Sequence, residues 1–408
     1  MGKSSQNISI RWFYLVVGVI AMLFAGIIYA WSILKAPLES AFGWEPTATA
    51  LNFTITMCFF CIGGVVGGLL VKRLGVKLSL ILSAVLSFVG FLLTSRLSGN
   101  VTMLYISYGI ITALGIGLAY NVIISTVSAW FPDKKGTCSG ALMMGFGASA
   151  LVLGNLSSAL IESPSVGWRT TFLILGIALG VVLLVVGIIL RLPAPGLALP
   201  QPQAKKSQGS TEDFIVQDMT PAQMVRRFTF WRAFICIVFL AAVGNSVISF
   251  ARDLAISVGA QATLATTLVG VLSVCNGLGR IAIGAIFDII GRRKTMLLAN
   301  LVAIVAAALT LVSVFTSSVP LCIVGLCITG VSYGACPTIS SAFTAAFYGT
   351  KHFSINFSIF NFNLMGASLI ATVSSLLLQN SGGYIAPFAM LLVLAAVALV
   401  LNVSIRRP

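Results

Sequence analysis

The chain has 408 residues, of which 58% are hydrophobic and only 8% are charged. Soluble domains carry roughly 25% charged residues, so this composition excludes a soluble globular protein and indicates one that lies in a membrane. The net charge of +15 would suit a nucleic-acid partner in a soluble protein, but here the cations lie in loops on one side of the predicted spans, so no nucleic acid is expected.

Apolar segments recur along the whole chain, and each is long enough for a helical crossing of the hydrocarbon core, which takes roughly 20 apolar residues. They predict twelve transmembrane helices, near residues 12–34, 50–71, 78–97, 102–129, 137–160, 169–190, 231–255, 263–287, 295–316, 319–345, 354–379 and 384–404. The first segment is too long for a signal peptide and has no convincing small-residue cleavage site, so we count it as a membrane helix.

Lysine and arginine residues predict the orientation of the spans, because cytoplasmic loops are enriched in them. Of the 24 such residues, one lies inside a span and nineteen fall in loops on one side. The other side receives Lys35, Arg96, Arg169 and Arg252. The sequence therefore predicts a multi-pass protein of the cell membrane with both termini and the central loop in the cytoplasm.

The only long hydrophilic stretch, residues 192–229, is rich in proline, serine and charge, which is typical of a linker. It separates a predicted N-terminal six-helix bundle, residues 1–191, from a predicted C-terminal six-helix bundle, residues 230–408. Residues 220–227 have the pattern of a short amphipathic helix, although we interpret them as a plain tether.

The loop after the second span resembles the loop after the eighth. The first reads Gly-Leu-Leu-Val-Lys-Arg-Leu-Gly-Val-Lys at 68–77, and the second reads Gly-Ala-Ile-Phe-Asp-Ile-Ile-Gly-Arg-Arg-Lys at 284–294. We expect the glycines to let two helices approach closely and the basic residues to hold the loop in the cytoplasm. Two such repeats enclosing a site at their interface are a common plan of secondary transporters.

The motif at 284–294 resembles the signature of the major facilitator superfamily. The resemblance implies an all-α membrane protein with the major facilitator fold, in which twelve transmembrane helices form two six-helix halves. It also gives a gating or structural role to the motif residues Gly284, Asp288, Gly291, Arg292, Lys72, Arg73 and Gly75. Lys72 stands where the family pattern has an aspartate, so a carboxylate-based gate is not expected in the first half.

One cation, Arg280, lies inside a span instead of in a loop. The nearest acidic residue along the predicted helix is Asp288, about 12 Å away. Burying a guanidinium without a counter-charge costs several kcal/mol, so such a residue normally faces a cavity and marks a substrate path. We expect Arg280 to bind a carboxylate through its planar fork of donors. The alternative is a structural arginine bound by carbonyl groups of a neighbouring helix.

Polar residues in other spans are candidates for the same cavity. Asn276 lies one turn before this arginine and is predicted to reach either the same ligand or Arg280 itself, and the alternative is a hydrogen bond to a neighbouring helix. Tyr120 and Tyr333 follow small-residue runs at corresponding places in the two halves, where their hydroxyl groups would donate to a carboxylate. Packing in the core is the alternative for a tyrosine. The remaining candidates are Tyr29 and Asn361.

Several short motifs together resemble the oxalate/formate antiporter and monocarboxylate porter branch of the superfamily. They are Arg-Trp-Phe-Tyr-Leu-Val from residue 11, Trp-Phe-Pro-Asp-Lys from residue 130 and Asn-Gly-x-x-Arg at 276–280. The resemblance implies that the arginine of the eighth helix, here Arg280, binds the substrate carboxylate. It also implies that tyrosines of the fourth and tenth helices, here Tyr120 and Tyr333, line the site.

Departures from this branch bear on substrate and coupling. The oxalate exchangers have a second cation on the eleventh helix, where this chain has Leu364, and a single buried cation suits a single carboxylate. The monocarboxylate porters have an aspartate one turn before the arginine and a lysine on the first helix, where this chain has Asn276 and Ile33. Asp253 is the candidate for proton coupling, although we interpret it as a surface pair with Arg252.

These observations predict a secondary active transporter of small monocarboxylates such as lactate, pyruvate, acetate or formate, coupled to protons or exchanging anions. The alternatives are an oxalate or dicarboxylate:formate exchanger and a non-transporting membrane receptor for a carboxylate. The spans hold no catalytic cluster, so an enzyme is not expected. We predict no cofactor and no metal, and interpret the eight cysteines as small buried hydrophobic residues. The expected partners are the carboxylate, protons and membrane lipid.

Overall fold

A computed structural model describes residues 2–194, 197, 199–200 and 218–405, and within them it contains helices, turns and connecting segments without a β-strand. A helix satisfies its own backbone hydrogen bonds, which is why apolar membrane segments adopt it. The α-helices are α1 (Gly2–Ala25), α2 (Trp31–Phe42), α3 (Pro46–Ser95), α4 (Val101–Leu104), α5 (Ala113–Ser128), α6 (Lys135–Glu162), α7 (Gly167–Ile189), α8 (Pro221–Val225), α9 (Phe228–Ser257), α10 (Ala262–Ile290), α11 (Arg292–Thr316), α12 (Val319–Tyr348), α13 (Phe353–Phe360), α14 (Asn363–Ser381) and α15 (Ile385–Val403).

Eleven helical segments of the described chain are long and apolar enough to cross a membrane. One of them, Leu51–Ser95, has 45 residues and contains two predicted spans, 50–71 and 78–97. Its backbone leaves helical geometry at Gly75, where φ is 76° and ψ is 177°. This break separates the two spans, so the predicted twelve-helix, all-α fold is confirmed.

Gly291 has almost the same backbone conformation as Gly75, with φ 76° and ψ 174°, and it ends α10 and begins α11. This region of backbone space is open essentially only to glycine. A Cβ atom at Gly75 or Gly291 would meet no atom within 4 Å, so the expected close helix approach is wrong for these two glycines. It holds for Gly68, where a Cβ would lie 3.2 Å from the Cα of Ile355.

Three membrane segments are not regular α-helices along their whole length. A 3₁₀ segment, Gly26–Ala30, separates α1 from α2, and a π-helical segment, Tyr105–Thr112, lies between α4 and α5. Residues 361–362 interrupt the helix between α13 and α14. Such irregular turns expose backbone groups and change the direction of side chains, and they are frequent at functional positions.

The chain divides into two compact units. The first comprises Met1–Thr220 and Ala345–Ile359, and the second comprises Pro221–Thr344 and Phe360–Pro408. In the first unit α3 packs against α5 and α7, and α1 packs against α6. In the second, the helices α9, α10, α11, α12 and α15 share a buried apolar core. The end of α12 and most of α13 therefore belong to the same unit as the N-terminal helices.

The core of the first unit is built on aromatic contacts. The fully buried Tyr108 lies with its ring centroid 5.7 Å from that of Phe91 and 6.3 Å from that of Phe172. Both contacts are edge-to-face, the geometry in which aromatic pairs contribute beyond their buried area. They connect the π-helical segment to α3 and α7.

Most of the predicted linker, including residues 201–217, lies outside the described residues. Its end is structured: Pro221–Val225 form the short helix α8, and Met224 is buried. The interpretation of residues 220–227 as a plain tether is therefore wrong for this helix. Just before it, Met219 is also buried, and its backbone N–H donates to the carbonyl oxygen of Tyr348 at 3.0 Å.

Candidate functional site

Arg280 lies in the C-terminal half of α10 and is only 3% exposed. Its Nε donates a hydrogen bond to Oδ1 of Asn276 at 3.2 Å. The two residues are four positions apart, which places them one above the other on the same helix face. The amide therefore fixes the direction of a permanently charged guanidinium inside an apolar helix. Of the two predictions for Asn276, contact with the arginine is the one that the structure shows.

Close backbone contact between α10 and α12 surrounds this pair. A Cβ atom at Gly334 would lie 2.2 Å from the carbonyl oxygen of Asn276, and one at Gly279 would lie 2.6 Å from that of Val331. The hydroxyl of Thr338 donates to the carbonyl oxygen of Arg280 at 3.3 Å. Only glycine permits this close approach. The glycines of α10 and α12 therefore let the two helices pack tightly around the turn that carries Asn276 and Arg280.

The other two candidates of the second unit lie on different elements. Tyr333 is half-buried on α12 and packs against α9, where a Cβ atom at Gly244 would lie 2.3 Å from the Cβ of Tyr333. Asn361 is 4% exposed and lies at the interruption between α13 and α14. Nearby, Asn363 donates to the carbonyl oxygen of Phe360 at 2.6 Å.

The two candidates of the first unit meet at one aromatic ring. Tyr120, on α5, has its ring centroid 4.9 Å from that of Phe146, and Tyr29, in the 3₁₀ segment, lies 5.2 Å from the same ring. Tyr120 also contacts Phe60 at 5.1 Å and is 4% exposed. Two tyrosines predicted separately from the sequence are thus brought together around Phe146.

A polar cluster in the first unit was not predicted. The side-chain amide of Asn121 donates to the carbonyl oxygen of Ser354 at 2.8 Å and also bonds the hydroxyl of Ser358. Ser358 in turn donates to the carbonyl oxygen of Gly64 at 2.8 Å. An asparagine directly after Tyr120 was a visible signal in the sequence, but its partners lie more than two hundred residues further along the chain.

Lys72 of the first motif contacts the sole histidine of the chain, with its Nζ 2.9 Å from Nδ1 of His352. Burial lowers the pKa of His352 below its usual value, and the charges of Lys72 and Lys351 lower it further, while Asp218 acts in the opposite direction. A neutral imidazole nitrogen accepts the hydrogen bond from the ammonium group. The lysine at the family's aspartate position is therefore bound to the segment before α13.

Asp218 attaches the end of the linker to the same loop. Its Oδ1 accepts the backbone N–H groups of Thr350 and Lys351 at 2.9 and 3.0 Å. Gly349 has a φ of 78°, and a Cβ atom there would lie 2.1 Å from Oδ1 of Asp218. Glycine is therefore required at position 349 for two reasons: its φ is positive, and the carboxylate of Asp218 leaves no room for a side chain.

The remaining motif residues lie near the break at Gly75 inside α3 and near the junction of α10 with α11. Gly284 is buried, Arg73 and Asp288 are exposed, and the guanidinium of Arg292 lies 5.9 Å from the ring centroid of Phe343. Arg73 lies two residues before Gly75, and Arg292 directly follows Gly291.

Asp253 lies at the surface of α9. Its Oδ1 is 3.8 Å from Nη1 of Arg252, and the two side chains are 68% and 52% exposed. This agrees with the surface pair that we preferred to a proton-coupling site. Among the described residues, no group of three or more histidine, cysteine or acidic side chains could hold a metal ion.

The chain was compared with known proteins. The model of the Major Facilitator Superfamily matches residues 15–251 and 233–408. The oxalate:formate antiporter of Oxalobacter formigenes is 28% identical over 303 residues, which cover 72% of this chain and 68% of that protein. Monocarboxylate transporter 12 of Homo sapiens is 23% identical over 388 residues, which cover 88% of this chain and 72% of that protein.

A solved structure supports the same fold. The proton:xylose symporter XylE superposes with a TM-score of 0.75 at 14% identity, covering 99% of this chain and 97% of that one. At this identity the likeness concerns the fold alone. With the family match extending through both halves of the sequence, these findings show that the chain is a transporter that belongs to the major facilitator superfamily.

Proposed function

We propose that this chain is a secondary active transporter of small monocarboxylates of the lactate, pyruvate, acetate or formate class, and that Arg280 binds the carboxylate. The observation that carries the proposal is a guanidinium that is 3% exposed inside an apolar helix and oriented by Asn276. A planar fork of N–H donors matches the two oxygens of a carboxylate. An ionisable residue inside a membrane helix commonly marks a substrate path.

The charge of the site supports a substrate with one carboxylate. Leu364 occupies the place of the second cation of the oxalate exchangers, and Arg280 is the one cation that lies away from the edges of the predicted spans. A dicarboxylate would leave one negative charge uncompensated in a medium of low dielectric constant. One relative of this chain is named as an oxalate:formate antiporter and another as a monocarboxylate transporter. Both substrate classes therefore occur among the relatives of this chain.

The proposed cycle is alternating access, with the carboxylate neutralising Arg280 in the occluded state. Tyr120, Tyr333, Tyr29 and Asn361 are proposed to line the path with hydroxyl and amide donors. Arginine keeps its proton at physiological pH, so electroneutrality comes from anion exchange or from a proton that enters with the substrate. We place the protein in the cell membrane with both termini in the cytoplasm.

Counterflow of labelled lactate in proteoliposomes tests the proposal. Wild type is expected to accumulate label against unlabelled lactate inside. Losing a hydrogen bond to a charged partner costs about 1.5–3 kcal/mol, so Arg280→Ala should raise the substrate concentration for half-maximal uptake about 10- to 150-fold. Arg252→Ala, an exposed arginine at the end of α9, is the matched control and should transport normally. Undiminished uptake by Arg280→Ala would contradict the proposal.

The same vesicles separate the two alternatives. An oxalate or dicarboxylate exchanger gives counterflow with labelled oxalate and little with lactate. A carboxylate receptor is stabilised against heat by the ligand but gives no counterflow with either compound. A result of either kind would replace monocarboxylate transport as the function of this chain.

A further inference from the structure

Two of the eight cysteines, Cys275 on α10 and Cys327 on α12, face each other within the second unit. Both side chains line one cavity of about 450 Å³. The rest of its lining is apolar and comprises Leu301, Val302, Val305, Ile328 and Val331. Both cysteines are half-buried, as is Cys58, so interpreting all eight as buried hydrophobic residues is wrong for these three.

The packing of α10 on α12 holds the two thiols together. A Cβ atom at Gly330 would lie 2.8 Å from the Cβ of Cys275, and one at Gly334 would lie 2.2 Å from the carbonyl oxygen of Asn276. The two backbones are therefore in contact directly beside the cysteines. This contact holds both thiol side chains beside the same cavity.

The cavity is open at the surface of the unit. Leu301 and Val305 on its rim are 51% and 46% exposed, whereas Cys61, in the chain's Cys-x-x-Cys sequence, is 2% exposed. An apolar molecule that dissolves in the bilayer can reach Cys275 and Cys327 through this opening. Of the Cys-x-x-Cys pair only Cys58 is half-buried, whereas both Cys275 and Cys327 are, so Cys58 with Cys61 serves as an internal comparison with one less accessible thiol.

We propose that Cys275 and Cys327 form a two-thiol capture site for soft thiophilic electrophiles, of which trivalent arsenicals are the class that fits best. Sulfur ligands select soft acceptors, and two thiols that line one cavity where α10 contacts α12 are placed for one arsenic atom to bridge. With phenylarsine oxide, two S–H bonds break and two As–S bonds form. The oxide oxygen leaves with both thiol protons as water, and arsenic stays in the trivalent state.

Occupation of the site should impair carboxylate binding, a step that rests on the proposed function. Cys275 directly precedes Asn276, the residue that orients Arg280. The cavity beside the pair can hold the phenyl ring, but a bridging arsenic atom joins α10 to α12 one residue before Asn276. The adduct should therefore constrain the helix turn that presents the guanidinium.

Mass spectrometry of the purified protein treated with phenylarsine oxide tests the site without any transport assay. We expect one phenylarsenic group per chain, mapped by peptides to residues 275 and 327, that resists a monothiol and is removed by 2,3-dimercaptopropanol. Cys275→Ser and Cys327→Ser should each lose this adduct. The double variant Cys58→Ser/Cys61→Ser should keep it. Attachment elsewhere, or removal by a monothiol, would overturn the proposal even if a serine variant failed to fold.

Counterflow of lactate tests the consequence for transport. Treated wild type should lose counterflow and regain it with the dithiol, while the Cys327→Ser variant should be insensitive. A protein that carries the adduct and transports normally contradicts the coupling to Arg280. If wild type binds the arsenical but, before treatment, shows no lactate counterflow, the proposed function is contradicted and the capture site still stands.

Discussion

At the residue scale, the proposed binding of a carboxylate depends on the hydrogen bond between Asn276 and Arg280. A guanidinium has five N–H donors, and the amide oxygen of Asn276 accepts one of them, from Nε. Because an amide is neutral, it orients the arginine without cancelling its charge. This contact therefore leaves the net positive charge of the pair unchanged.

An aspartate at position 276 should make binding depend on pH. In Asn276→Asp, an ionised carboxylate one turn before Arg280 would pair with the guanidinium and compete with the substrate. Uptake should then fall as pH rises through the pKa of the new aspartate and recover as pH falls and the group is protonated. Initial uptake rates of labelled lactate across a pH series measure this. Asn276→Leu is the control without a charge, and identical pH profiles for the two variants would contradict the pairing.

At the scale of the element, two glycines determine where membrane helices end. Gly75 and Gly291 share a φ of 76°, and each lies between the end of one membrane helix and the start of the next. Gly291→Ala should lower the free energy of unfolding by about 1–3 kcal/mol, because an alanine is strained there. Thermal unfolding in detergent measures the loss.

Gly270 provides the matched control in the same helix pair. It is helical, and a Cβ atom there would meet nothing within 4 Å, so Gly270→Ala should leave the melting temperature unchanged or raise it. A Gly291→Ala variant as stable as Gly270→Ala would contradict the assignment of a strained backbone. Gly349→Ala should be worse than either, because its Cβ would meet the Asp218 carboxylate.

The segment before α13 should respond to pH through its single histidine. Burial and the charges of Lys72 and Lys351 lower the pKa of His352, with Asp218 opposing them. A base whose pKa is lowered in the folded state stabilises the fold above its ordinary pKa, and this contribution is lost as pH falls toward the lowered value. Acidification also replaces the Lys72 hydrogen bond by repulsion between two cations.

Because the chain has one histidine, nitrogen NMR of histidine-labelled protein follows that group alone. The pKa of His352 should lie below 6.5, its ordinary value. In Lys72→Met it should rise toward that value, while in Asp218→Asn it should fall further. A pKa at or above the ordinary value in wild type would contradict the contact.

The elements that could be predicted are those that depend on local sequence. Apolar length predicted the spans, and the repeated motif at 68–77 and 284–294 predicted similar loops after the second and eighth spans. The role of Gly75 was misjudged because a glycine chosen for its backbone and one chosen for close approach look the same in a sequence. The Asn121–Ser354 and Lys72–His352 contacts join residues far apart along the chain, and no periodicity reports such pairs.

The candidate site was predictable to a similar degree. An arginine inside an apolar segment is visible directly, and its neighbour at four residues follows from helix geometry. Tyr29 and Tyr120 both contact Phe146 because of the way α5, α6 and the 3₁₀ segment pack together. The sequence of each segment alone does not predict that packing. The Cys275–Cys327 pair depends on glycine contacts between two helices in the same way.

For the molecule as a whole, the distribution of cations predicts the orientation in the membrane. Green fluorescent protein fused after Pro408 should be fluorescent, and alkaline phosphatase fused there should be inactive, because the C-terminus is expected in the cytoplasm. Fusions in the loop of Arg169, between the fifth and sixth spans, should give the reverse pattern. Active phosphatase at the C-terminus would contradict the predicted orientation.

The claim on which the account depends is that Arg280 binds a carboxylate. The most direct measurement is the shift in melting temperature on adding lactate to purified wild type, Arg280→Lys, Arg280→Ala and Arg252→Ala. Ligand that binds only the folded state raises the melting temperature. The account predicts a shift for wild type and Arg252→Ala, a smaller one for Arg280→Lys, which keeps the charge but not the fork, and none for Arg280→Ala. A full shift in Arg280→Ala would contradict it.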